Sequence, residues 1–206
     1  MAGVAFDAVL CDIDGVLRLW DPARMEELDR QYGLAEGTLA GAAFAPHRLT
    51  PAVTGETTDA QWRRGVADDL AEACGSRYRA EAIVGQWAAL LPQVDPEVLH
   101  ALTAVRERAR VVLVSNATTR LDEELETLGL SDIADAVVNS SRLGVAKPHP
   151  AVYRAAADAA ATPVPRCLFV DDAEANVVAA RRLGMAGLHY TGFQGLRDVL
   201  SPLLQQ

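Results

Sequence analysis

The chain has 206 residues, half of them hydrophobic and 23% charged, the composition of a globular protein with enough apolar mass for a sizeable core. Its 28 acidic residues against 19 basic ones give a formal net charge of −9. That balance excludes a general binder of nucleic acid or anionic membrane, whose affinity rests on a basic surface. Of the 19 basic residues, 18 are arginine and one is lysine, Lys147.

The N-terminal stretch Met1 to Leu10 is apolar, lacks a basic segment and runs into Cys11-Asp12-Ile13-Asp14. It reads as a first strand over Phe6 to Cys11 and not as a signal peptide, so a cytoplasmic protein is expected. No apolar run approaches the ~18–20 residues of a membrane span. Cys11, Cys74 and Cys167 form no C-x-x-C pair and each lies in an apolar stretch, which predicts three buried thiols.

Residues 16–94 carry no convincing strand. Met25, Leu28 and Tyr32 form a short helical stripe, and Pro46 to Gly55 reads as a loop. Thr58 to Gln61 has capping-box spacing, after which Trp62, Val66, Leu70 and Cys74 recur every four residues. Ile83, Trp87, Leu90 and Leu91 make a further helical face.

From residue 95 the rhythm changes. Asp95-Pro96-Glu97 starts a helix with a cap, a first-turn proline and a first-turn acid. Apolar runs at Val111 to Ser115, Ala136 to Asn139, Cys167 to Val170 and Ala186 to His189 predict strands. Between them lie helical stripes such as Leu121, Leu125 and Leu128, closed by Gly129. Runs without polar alternation fit strands covered on both faces. The expected fold class is α/β: a Rossmann-like parallel five-stranded sheet flanked by helices, with an inserted all-helical cap domain. The boundaries are 1–15 and 95–206 for the core and 16–94 for the cap.

Ligand sites in open α/β sheets form at the carboxyl ends of the strands. After the first strand comes Asp12-Ile13-Asp14-Gly15, whose two carboxylates at i and i+2 point the same way on an extended segment. After the second comes Ser115-Asn116, a hydroxyl and backbone amides suited to an anion. After the third comes Lys147-Pro148-His149-Pro150. A blind assignment would place the lone lysine here once in 19. After the fourth comes Asp171-Asp172, an adjacent pair that calls for a cation or a proton. Oxygen ligands in such a pair suit Mg²⁺.

Each of these signals alone is weak: strand ends often carry Asp and Gly, helices often start with Ser or Asp, and lysines are usually solvated. Together, in this order, Asp12 to Gly15, Ser115, Lys147 and Asp171 to Asn176 resemble the haloacid dehalogenase (HAD)-like superfamily, in its phosphatase branch with a helical cap. The resemblance spans nearly the whole chain.

It implies Asp12 as nucleophile forming an aspartyl phosphate and Asp14 as general acid/base. Ser115, Asn116 and Lys147 would hold the phosphoryl group, with Lys147 also holding Asp12. Asp12, Asp14, Asp171 and Asp172 would serve Mg²⁺, Asp14 through its backbone carbonyl. Asn176 would support the loop. An acid at position 14 argues against dehalogenation, since true dehalogenases lack one there. The implied activity is hydrolysis of a small phosphorylated metabolite such as a sugar phosphate. The alternatives are a phosphomutase using the same motifs and a non-catalytic phosphate-ligand binding or regulatory protein.

Candidate substrate contacts near the cap hinges are Arg18, Trp20, His47, Arg48, Trp62 and Arg63, although the position of Trp62 on an apolar stripe also suits a core residue. No nucleic-acid or membrane partner is expected, and the protein would be a monomer or homodimer. His47 and His149 have no partners at metal-ligand spacing.

Overall fold

A computed structural model describes residues 6–204. The first five residues of the expected N-terminal core segment, and residues 205–206, lie outside it. The chain starts with β1 (Ala8–Cys11), β2 (Arg18–Leu19), α1 (Ala23–Tyr32), α2 (Thr38–Ala43), α3 (Pro46–Val53), α4 (Asp59–Leu70), α5 (Arg77–Ala88) and β3 (Gln93–Val94). It continues through α6 (Pro96–Val105), β4 (Arg110–Ser115), α7 (Leu121–Thr127), β5 (Ala136–Asn139), α8 (Ser140–Leu143) and α9 (Pro150–Ala159). After a short 3₁₀ turn come β6 (Cys167–Asp171), α10 (Glu174–Arg182), β7 (Ala186–His189) and α11 (Phe193–Leu204).

The five long strands form one parallel sheet in the order β5-β4-β1-β6-β7. Alternate residues of the central strands face opposite sides. Val9, Cys11, Val111, Leu113, Leu168 and Val170 pack under α6, α7 and α11. Ala8, Leu10, Val112, Val114, Cys167 and Phe169 pack under α9 and α10. Both faces are covered, which is why these strands read as unbroken apolar runs. Each fully buried Val, Leu or Phe contributes about 1.5–3 kcal/mol. The strand order reverses at β1 and β6. A crevice therefore opens beyond their carboxyl ends, where Asp12 and Asp171 lie.

Residues 16–94 build a third apolar cluster, centred on Leu39, Trp62, Val66, Leu70, Ile83 and Trp87 and separate from the two on the sheet. The Thr58–Gln61 capping box forms in full at the start of α4. Two expectations for this segment are corrected. The segment is not all-helical: β2 and β3 form a two-residue antiparallel ladder where the chain leaves and re-enters the sheet. Two residues are too few to carry a periodic signal. The stretch Pro46 to Gly55 is mostly helix α3 and not a loop. Pro46 occupies the first helical turn, where a missing N–H costs nothing. Pro51 is tolerated inside this short helix, which ends at Val53, and Gly55 follows with φ +77°. A further short helix, α8, starts the long loop between Ser140 and Pro150.

All three cysteines are free and buried, as expected. Among the described residues, no helix is long and apolar enough to cross a membrane.

Candidate active site

Four strand-end loops converge at the crevice. Strand β1 delivers Asp12, which is 6% exposed, and Ile13 N–H donates to its Oδ1 at 2.7 Å. Strand β6 ends in the fully buried Asp171. Lys147 reaches in from the loop before α9. Its ammonium lies 2.8 Å from Asp12 Oδ1 and donates to Asp171 Oδ2 at 2.7 Å and to the Val114 carbonyl at 3.0 Å. All three ammonium protons therefore have acceptors in a buried pocket. Such a point charge with three radiating donors is what lysine offers and the flat arginine fork does not.

The loop that carries Lys147 is fixed by Asn116. Its side-chain amide donates to the Lys147 carbonyl at 3.0 Å, and its Oδ1 accepts the Lys147 N–H at 2.7 Å. This clasp was not legible in the sequence, which pointed only to the Asn116 backbone. Ser115 closes β4 beside it and is buried. Asn176 donates to both oxygens of Asp171, at 3.0 and 3.1 Å, and Ala173 N–H donates to Oδ1 at 2.8 Å.

Carboxylate oxygens of Asp12, Asp171 and Asp172 lie within 4.8 Å of one another, a set that could hold a metal ion. Gly15 fits closely against it. With φ +85°, a Cβ there would overlap Asp172 Oδ2, so only glycine lets the chain pass this carboxylate. Burial pushes the Asp12 carboxyl up to about 7, with Lys147 opposing and Asp171 reinforcing the shift. Burial and the charge of Asp171 also raise Asp172. Burial works against the Lys147 charge, yet Asp12 and Asp171 together hold its pKa above the ordinary lysine value. An excess of buried negative charge that shifts carboxyls upward is an environment suited to a hard cation.

The side chain of Asp14 stands apart from this cluster. Arg18 grips it with two hydrogen bonds, at 3.0 and 2.9 Å, and Trp20 Nε1 donates to it at 2.6 Å. Arg18 also pairs with Glu124 at 2.9 Å and is only 2% exposed. The sequence offered Arg18 as a candidate substrate contact. It lines the cavity beside Asp14 and is also buried between two carboxylates, because a guanidinium leaving water needs paired acceptors.

A cavity of about 550 Å³ adjoins Asp14, lined on one side by Asn116, Ala117 and Thr118 and on the other by residues 16–94. Trp20, Trp62 and Arg63 line it, as do Phe44 and Trp87, which were not singled out as contacts. Trp62 is also a core residue, 7% exposed, as its apolar stripe suggested. His47 and Arg48 pair with Asp69 and are not among the lining residues. His149 caps α9 through Nδ1 and belongs to no metal cluster found among the described residues.

The family model of haloacid dehalogenase-like hydrolases matches residues 6–184. The chain belongs to this hydrolase family. A protein named as a phosphatase from Mycobacterium tuberculosis is 29% identical over 197 residues, covering 88% of this chain and 86% of that protein. A HAD family enzyme from Bacteroides thetaiotaomicron, crystallised with magnesium and inorganic phosphate, shares the fold with a TM-score of 0.71. That match has 22% identity and covers 89% of this chain and 93% of that one. A protein of Porphyromonas gingivalis described as a predicted HAD-like family hydrolase has a TM-score of 0.74 at 19% identity, with 98% of each chain covered. In this HAD-like hydrolase the four sequence motifs meet in one crevice, as their positions after successive strands required.

Proposed function

We propose that the protein is a Mg²⁺-dependent phosphomonoester hydrolase acting on a small phosphorylated metabolite through an aspartyl phosphate. In this reading residues 16–94 serve as a cap over a core made of 1–15 and 95–206. The observation that carries it is the Lys147 ammonium between Asp12 and Asp171, with Asp172 in the same oxygen cluster. The relative named as a phosphatase supports the reaction class, and the magnesium and phosphate bound by the Bacteroides enzyme support the ion.

Asp12, Asp171 and Asp172 would hold the cation, whose charge offsets that of the phosphoryl group, and the backbone carbonyl of Asp14 would complete the protein's share. An Asp12 carboxylate oxygen attacks phosphorus, and the bond from phosphorus to the ester oxygen breaks. Protonated Asp14 gives its proton to the departing alkoxide, so the alcohol leaves neutral. Asp14, now ionised, takes a proton from water. The water oxygen attacks phosphorus, the bond to Asp12 breaks, and inorganic phosphate leaves. Ser115 and the Asn116 N–H bind the phosphoryl oxygens. Lys147 opposes protonation of Asp12, orients it and neutralises charge on the phosphoenzyme.

Trp20 and Arg18 hold the Asp14 side chain toward the cavity, on the path of a departing alcohol. The test is release of inorganic phosphate from an aryl phosphate. Activity should need Mg²⁺, vanish with chelator and vanish in Asp12→Asn with the fold intact. Full activity of Asp12→Asn would overturn the assignment of the nucleophile.

A further inference from the structure

We infer that the substrate is a phosphate ester of a largely apolar, ring-sized alcohol and not of a polyol such as a sugar. This rests on the hydrolase reading above and concerns the group that leaves.

All three tryptophans of the chain line the cavity next to Asp14, together with Phe44, Met25 and Leu90. Trp20 is 43% exposed and Phe44 49% exposed, unusual for large rings in a folded chain. Behind them Trp62 and Trp87 pack edge to face with centroids 5.1 Å apart, and Phe44 meets Trp87 edge-on at 6.3 Å. The rings buttress one another, so the apolar wall is preformed. At about 550 Å³ the cavity holds far more than the methyl or glyceryl group of a minimal ester.

Most of the polar groups in the same wall already have partners, while the carboxylates of Asp21 and Glu26 line it exposed. Arg18 is bound to Asp14 and Glu124. Asp29 accepts from the Gly37 and Leu39 amides. Asp59 pairs with Arg63 and accepts from Thr118. Asn116 clasps the Lys147 backbone. The spare donor is Arg63, whose guanidinium lies 4.5 Å from the Trp87 ring centre and 5.4 Å from that of Trp62. Its Nη1 is buried without a hydrogen-bond partner among the described residues.

A wall whose few spare polar groups are the Arg63 guanidinium and the exposed carboxylates of Asp21 and Glu26 suits an otherwise apolar body. A hexose would bring several hydroxyls into it, and each unpaired one would carry a desolvation penalty. A flat apolar body would lose nothing and gain contact with the rings. The sugar phosphate implied by the family resemblance is therefore the poorer fit to this wall.

Two esters of primary alcohols separate leaving-group recognition from intrinsic reactivity: 2-phenylethyl phosphate and a hexose 6-phosphate. With Mg²⁺ and wild-type protein, kcat/KM from phosphate release should favour the phenylethyl ester by about tenfold or more. Phe44→Ala, at a half-exposed position, should shrink that ratio through KM. Titrating 2-phenylethyl phosphate into Asp12→Asn should change tryptophan fluorescence, and the hexose ester should not. A kcat/KM ratio near one, or one favouring the hexose, overturns the inference and leaves the hydrolase reading standing. The absence of a fluorescence change with the phenylethyl ester overturns it too. Binding of the phenylethyl ester without hydrolysis of either compound would sustain the cavity's chemistry and sink the hydrolase reading.

Discussion

At the strand ends, Lys147 lies between two buried aspartates, and Asn116 and Asn176 fix the loop and the carboxylate it depends on. Beyond Asp14, the wall supplied by residues 16–94 is mostly rings and aliphatic side chains, with most of its polar atoms paired to one another. The first region is rigid and excessively negative, so its strength lies in holding charge. The second offers mostly apolar surface, so it selects by shape and apolar contact. Asp14 and Trp20 stand where the two meet. The chemistry and the choice of substrate can therefore be broken separately.

The largest expected effect is at Asp12, the proposed nucleophile. Asp12→Asn should lower phosphate release by on the order of 10³-fold or more while leaving the circular dichroism spectrum unchanged. Next comes the charge balance of the crevice. Lys147→Met strands Asp12 and Asp171 without their shared cation and should destabilise the metal-free protein by about 3–5 kcal/mol in urea unfolding. Lys147→Arg should also lose activity severely, because the wider fork does not fit among Asp12, Asp171 and the Val114 carbonyl. Near-normal activity in Lys147→Arg would show that the crevice needs only charge.

A pH effect follows from Asp12. Its folded pKa, pushed up to about 7, lies above the ordinary 3.8, so the folded metal-free chain keeps a proton that the unfolded chain has shed. That stabilisation is complete below the ordinary value and is lost as pH rises through about 7. The melting temperature of metal-free protein should therefore fall between pH 5 and pH 8, by amounts of the order expected from proton linkage. In the proposed site Mg²⁺ would displace the proton, so its affinity should rise over the same interval. Calorimetric titration in buffers of different ionisation enthalpy reads that proton release directly. Affinity that does not vary with pH would place the ion elsewhere.

Smaller effects sharpen the boundary between the regions. Trp20→Phe keeps the ring and removes the 2.6 Å hydrogen bond to Asp14. A loss of roughly fivefold is expected, from about 1 kcal/mol of hydrogen bonding, and in kcat more than in KM. A change confined to KM would make Trp20 a wall residue only. The smallest effect concerns residues 16–94 alone. Thr58→Ala removes the α4 cap and should cost about 1 kcal/mol of stability, with the Mg²⁺ dependence of activity unaltered.

The sheet and the four motif positions were legible because each depends on local rules. Buried strands announce themselves as short β-branched runs, and in a parallel sheet their carboxyl ends share one edge. Asp12, Ser115, Lys147 and Asp171 could thus be placed together without knowing a distance. The use of one lysine among 19 basic residues marked its position as well. The α3 helix was hidden because its two prolines resemble loop punctuation, and the β2–β3 ladder because it is too short to show a period.

What the sequence by itself determined is the doubly covered sheet and the placing of Asp12, Ser115, Lys147 and Asp171 along its edge, since both follow from periodicity and chain order. Tertiary structure alone decided the fate of Arg18, because its second partner, Glu124, lies 106 residues away in α7. It also decided that Phe44, Trp62 and Trp87, from three different helical segments, turn toward Asp14 as one wall. Helical periodicity says that a ring is buried or near a buried face. It does not say which helix will stand opposite, and the ring-lined cavity exists only between such partners.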